Sequence, residues 1–87
     1  MDRQDGLELL REVVSEVLSK DPEAVTEDSR FQDDLDADSL DFIEIVSALE
    51  ERVDVHLPYG ELKEVKTIGD ALDLMMDKNN WVSADEL

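Results

Sequence analysis

The chain has 87 residues, 8 of them basic and 25 acidic, for a formal net charge of −17 at pH 7. That length suits one small domain with little room for a walled active site. That charge repels nucleic acid and anionic membrane surfaces and attracts basic protein surfaces. Apolar residues make up 41% and cysteine is absent, so a folded core is expected, with no disulfide, thiolate nucleophile or cysteine metal site. No apolar run is long enough to span a bilayer, and residues 1–20 lack the basic start and hydrophobic middle of a signal peptide. A cytoplasmic monomer is the expectation.

The first predicted element is an amphipathic helix from Asp5 to Leu18, with Leu7, Leu10, Val14 and Val17 or Leu18 at spacings of three and four. Asp5 and Glu8 resemble a capping box, and Asp21–Pro22 marks a stop. A long connection follows, from Lys20 to Asp38, with Val25, Phe31 and Leu35 as apolar anchors; Phe31 and Leu35 fit one helical turn. The second helix should run from Ser39 to about Val53, on a stripe of Phe42, Ile45, Val46, Leu49 and Val53. After Pro58, Tyr59 to Val65 suits a short third helix carrying Leu62 and Val65. Thr67 and Asp70 form a capping-box pattern before a last helix that turns Ile68, Ala71, Leu72 and Met75 or Met76 inward. The pattern predicts one domain over 1–77 and a frayed tail over 78–87, with Trp81 its one docking residue. Val53 to Leu57 alternates too briefly for a strand, so the expected fold is all-α: a small four-helix bundle of three main helices and one short one.

Most chemical motifs fail on inspection. Asp34, Asp36 and Asp38 alternate like the start of a calcium loop, but Ser39 stands where glycine is needed and Ile45 where a bidentate glutamate is needed. His56 is the single histidine; nothing pairs it with Ser39 in a strained nucleophile turn, so no catalytic residue and no metal ligand are assigned. Gly6, Gly60 and Gly69 do not cluster into a phosphate loop.

Asp38–Ser39–Leu40–Asp41 remains. As plain structure it is a helix start, with Asp38 the cap and Asp41 closing the box. Winding that helix at about 100° per residue with its stripe inward leaves Leu40, Ile43 and Ser47 outside, beside Glu44 and Glu51. An apolar pair ringed by acids reads as a docking surface for a basic, partly apolar partner. Ser39, at a helix N-terminus, is compatible with a phosphate.

Leu35–Asp36–Ala37–Asp38–Ser39–Leu40–Asp41 resembles the attachment motif of the acyl carrier protein family, in which the serine receives 4′-phosphopantetheine from coenzyme A. The likeness continues through Glu44, Ala48–Leu49–Glu50–Glu51 and Leu57–Pro58, back through Val25 and Phe31, and forward to Thr67–Ile68. The resemblance implies a non-catalytic carrier with Ser39 holding the arm and Asp38 flanking it. Leu40, Asp41, Ile43, Glu44, Ser47, Glu50 and Glu51 would form the surface read by partners. Those partners would be a phosphopantetheinyl transferase (holo-synthase) and an acyltransferase, ketosynthase or other pathway enzyme with a basic docking face. The thiol would come from the arm. Asp36 stands where the family usually has glycine, Ser47 where fatty-acid carriers often have methionine, and Arg52 adds a cation to the acidic helix. These departures favour a specialised polyketide-type pathway over fatty-acid synthesis. An aminoacyl or peptidyl carrier, and an acidic helical interaction module without an arm, stay open as alternatives.

Overall fold

The computed structural model describes residues 2–53 and 55–77, and contains the four expected helices: α1 Arg3–Leu18, α2 Ser39–Arg52, α3 Tyr59–Leu62 and α4 Ile68–Met76. The expected tail over 78–87, with Trp81, lies outside the described residues. Helix α1 packs against both α2 and α4. Its contribution to the core is Leu10, Val13 and Val14, all fully buried. They meet Ile45 and Leu49 of α2 and Ile68, Leu72 and Met75 of α4. Each such side chain contributes roughly 1.5–3 kcal/mol by leaving water, and this pooled apolar burial holds the short helices together.

The start of α1 differs from the sequence reading, while its end at Leu18 agrees with it. The N-cap is Asp2, whose side chain accepts the Asp5 N–H at 2.8 Å, so Asp5 lies inside the first turn and does not cap. The helix stops at Leu18 because Ser19 takes a left-handed conformation, φ 57°. Asp21–Pro22 instead opens a separate 3-10 turn over Pro22–Ala24, with Asp21 capping Glu23.

The long connection is fastened at both ends. Arg11 donates to the Val25 carbonyl at 2.7 Å, and Val25 itself is fully buried. Phe31 and Leu35 share one turn, closed by the Asp34 and Leu35 N–H groups on the Arg30 carbonyl, each at 3.0 Å. Both side chains are buried. Farther along, the connection runs beside the segment entering α4. Phe31 donates to the Lys66 carbonyl at 3.0 Å, Ile68 to Ser29 at 2.9 Å and Gly69 to Glu27 at 2.8 Å. Arg30 and Thr67 form an isolated antiparallel bridge there. Arg3 ties the same region to α1 through Glu27 and Asp73, at 2.6 and 2.9 Å.

Helix α3 is shorter than the expected Tyr59–Val65. After Leu62 the chain tightens into three-residue closures, Glu64 on Glu61 and Val65 on Leu62, both 3.1 Å. Leu62 and Val65 are half-buried against the core. The α4 capping box is as read, Asp70 N–H on Thr67 Oγ1 at 3.1 Å and Thr67 N–H on Asp70 Oδ2 at 3.2 Å.

Candidate functional site

Ser39 is the first residue of α2 and is exposed. The turn before it is built from alternation: Leu35 and Ala37 point into the core while Asp36 and Asp38 face water. Ala37 donates to the Phe31 carbonyl at 2.7 Å, which locks the approach to the helix. Asp36 adopts φ 55°, a left-handed conformation that aspartate tolerates better than most residues. Such a backbone accounts for glycine being the easier choice at this position. Asp38 accepts the Asp41 N–H at 2.8 Å, and Asp41 returns to the Asp38 N–H at 3.2 Å.

The Ser39 hydroxyl makes no hydrogen bond to another side chain or backbone group among the described residues. It therefore projects uncommitted from a rigidly capped helix start, where backbone N–H groups and the helix dipole favour a phosphate. The acids of the aspartate alternation are turned to different tasks: Asp34 accepts the Arg30 N–H at 2.8 Å, Asp36 lies 3.8 Å from Lys20, and Asp38 caps.

The outer face of α2 is as the helical winding requires. Leu40 and Ile43 are the large exposed hydrophobics among the described residues, at 71% and 49%. Glu44, Ser47 and Glu51 are exposed around them, and Asp41 is half-buried by its capping role. Two side chains depart from the expected partner face. Glu50 is half-buried, accepting the Leu57 N–H at 3.1 Å with His56 Nδ1 at 3.2 Å, so it also fastens the connector after α2. Arg52 turns to α1, where Glu12 and Glu16 hold it at 2.9 and 2.6 Å and raise its pKa further above the ordinary arginine value. It adds no uncompensated cation to the acidic face.

Beside Ser39 a groove of about 1040 Å³ opens between α2 and the segments 30–33 and 62–67. Its apolar wall includes Phe31, Phe42, Val46, Leu57 and Val65, with Phe31 and Phe42 edge-to-face at 5.1 Å. Arg30, Lys63, Lys66 and Thr67 also line it, together with the carboxylates of Asp33, Asp38 and Glu50. Asp70, also in the lining, has its carboxyl held below the usual range, first by the Lys66 backbone N–H and then by the Thr67 N–H and hydroxyl. Sequence reasoning did not find this groove. The segments 30–33 and 62–67 that line it lie on either side of α2 in the sequence, and only the bridge between the connection and the α4 entry brings them together. The uncommitted hydroxyl and the groove leading from it fit a long flexible group attached by a phosphate ester.

The family described as "Phosphopantetheine attachment site" matches residues 8–75. An acyl carrier protein of Caulobacter vibrioides (strain NA1000 / CB15N) is 46% identical over 74 residues, covering 85% of this chain and 95% of the relative. One from Thermosynechococcus vestitus is 42% identical over 84 residues, covering 97% and 100%. A solved acyl carrier protein structure from Enterococcus faecalis superposes with a TM-score of 0.72 at 26% identity, over 92% of this chain and 99% of that one. Among the described residues, no helix is long and apolar enough to cross a membrane.

Proposed function

The chain belongs to the acyl carrier protein family, non-catalytic proteins that carry 4′-phosphopantetheine, and on that premise we propose that Ser39 is the attachment residue within a carrier domain over 1–77. The observation that carries this reading is the position of Ser39. It is exposed at the head of α2, inside the Asp38–Asp41 capping box, with an uncommitted hydroxyl. The group, when bound, supplies the thiol on which an acyl cargo rides as a thioester.

The residues of the chain hold and present that group. Asp38 and Asp41 fix the backbone around Ser39, so that the Oγ points out to a transferase and, once esterified, holds the phosphate at the helix N-terminus. Leu40 and Ile43 offer apolar contact within a ring of Asp41, Glu44, Ser47 and Glu51. That pattern suits partners whose basic rim surrounds an apolar notch. A phosphopantetheinyl transferase, an acyltransferase and a ketosynthase are the proposed partners, meeting the monomeric carrier in the cytoplasm.

The proposed pathway is a specialised polyketide type. Support comes from Ser47, a polar residue on the exposed α2 face, and from a groove whose lining includes the polar side chains of Arg30, Gln32, Ser47, Lys63 and Lys66 beside its apolar ones. A wall rich in donors suits an oxygenated acyl chain better than a saturated one.

Intact mass after incubation with coenzyme A, magnesium and a broad-specificity phosphopantetheinyl transferase tests the attachment. One added phosphopantetheine on the native chain and none on Ser39→Ala is the expected result. Equal addition to both chains would move the site elsewhere, and no addition to a folded native chain would remove the reading. Loading by an amino-acid-activating enzyme alone would favour a peptidyl carrier.

A further inference from the structure

Glu50 sits where a carboxylate gains nothing from its own helix. It lies in the last turn of α2, at the negative end of the helix dipole. Glu51 follows it directly, in a chain of net charge −17. Its side chain is only 32% exposed, so it has lost water as well. A carboxylate drawn inward needs partners. Those partners come from the connector after α2: the Leu57 N–H donates to Glu50 Oε2 at 3.1 Å, and His56 Nδ1 stands 3.2 Å from the same oxygen.

At its ends the connector is bonded locally. The Val53 N–H on the Leu49 carbonyl, at 3.1 Å, finishes α2. The Glu61 and Leu62 N–H groups on the Pro58 carbonyl, at 3.0 and 3.1 Å, start α3, which has no side-chain cap. The Glu50–Leu57 bond spans seven residues and ties the approach to α3 to the body of α2. A bond to a carboxylate is stronger than one between neutral groups. Leu57 is buried and lines the groove beside Ser39, along with Phe42 and Val46 of α2. Glu50 and His56 line the same groove. The bond therefore fixes the place of an apolar wall residue relative to α2.

We propose that Glu50 is a positioning residue for cargo: by holding the Leu57 backbone it keeps that side of the groove closed on the apolar part of a tethered acyl chain. This rests on Ser39 as the attachment residue and on the groove as the place where the chain lies. It gives Glu50 a task different from the partner contact that the family resemblance implies. The task needs an acceptor oxygen, whereas contact with a basic partner needs the charge. Glutamine keeps the first and loses the second. Alanine loses both.

The test uses the full chain, loaded by a broad-specificity phosphopantetheinyl transferase from coenzyme A or from octanoyl coenzyme A with a ¹³C-labelled terminal methyl. Each product is confirmed by mass. Two quantities are read: the rise in thermal midpoint of the octanoyl form over the bare-arm form, and nuclear Overhauser contacts between the labelled methyl and Leu57. In the native chain octanoyl raises the midpoint by about 4 °C, and the methyl meets Leu57. Glu50→Ala loses at least half of that rise and the Leu57 contact, with its own bare-arm midpoint as the baseline for folding. Glu50→Gln retains both. Glu50→Asp, too short to reach Leu57, behaves as Glu50→Ala and serves in its place where the alanine chain does not fold. A rise and a contact that persist in Glu50→Ala or Glu50→Asp overturn the assignment. So does a Glu50→Gln chain that behaves as Glu50→Ala, since the effect would then lie in the charge. A native chain that gains no mass overturns this assignment together with the attachment reading; one that takes the arm and octanoyl but shows neither rise nor contact overturns this assignment alone.

Discussion

Asp38 and Asp41 each hold the other's backbone N–H, at 2.8 and 3.2 Å, and Ser39 lies between them with its side chain in water. The box that starts α2 is therefore also the mount for the serine. Replacing Asp38 with Ala removes one cap and should lower stability by about 1 kcal/mol. It should also slow phosphopantetheine transfer, since the first turn frays. Ser39→Ala should leave stability within about 0.5 kcal/mol, since exposed surface changes away from caps cost little, while ending the mass gain. Urea unfolding and a time course of intact mass check both. A Ser39→Ala chain that loses as much stability as Asp38→Ala would assign the serine a structural task.

Leu10 and Leu40 separate the core from the proposed partner face. Leu10 is fully buried and Leu40 is 71% exposed. Leu10→Ala should cost about 2–5 kcal/mol, enough to leave much of so small a domain unfolded. Leu40→Ala should leave the melting temperature unchanged and weaken binding to a transferase or ketosynthase, by about 1 kcal/mol or more if it is an interface anchor. Circular dichroism melts and a binding titration on the two variants decide between these roles.

Acid should unmake the α4 cap. The Asp70 carboxyl lies below its ordinary value because the Lys66 and Thr67 N–H groups bond its charged form. A depressed carboxyl stabilises the fold above its unfolded pKa, near 4, and the benefit disappears as pH falls through the lower folded value. Asp70→Asn should therefore be less stable than the native chain by about 1 kcal/mol at pH 6. The two should converge below about pH 3. Urea midpoints of both chains across that range measure the gap; a gap that stays constant would contradict the assigned cause.

Charge should limit stability at neutral pH. With a net charge of −17, self-repulsion opposes the compact state and salt screens it. Raising the salt from 10 to about 200 mM, which shortens the screening length from ~30 Å to below ~10 Å, should raise the melting temperature by about 4–8 °C, the shift given by ~1 kcal/mol in a domain of this size. A melting temperature indifferent to ionic strength would show that the charges are already compensated.

Much of this protein was legible in its residues. The periodicity of Leu10 and Val14, of Ile45 and Leu49, and of Ile68 and Leu72 gave three helices and the faces they bury, because helical spacing alone decides which side chains share a face. Asp38 with Asp41, and Thr67 with Asp70, marked two helix starts, because a cap is a local hydrogen bond between residues three apart. The start of α1 was misplaced from Asp2 to Asp5, as a run of acids offers several equivalent caps. Its end at Leu18 was legible, with Asp21–Pro22 just beyond it, although the left-handed turn at Ser19 was not.

Tertiary structure decided what lies opposite α2. Arg30, Lys63 and Lys66 face the groove only because the connection pairs with the entry to α4, a contact between residues more than thirty positions apart. Arg52, legible as a cation on the acidic helix, is turned aside by two α1 carboxylates, and Glu50 is drawn inward by Leu57. Periodicity assigns a side chain to a face of its own helix. Which charges meet it there depends on how the rest of the chain is laid across that face, and no local spacing records that.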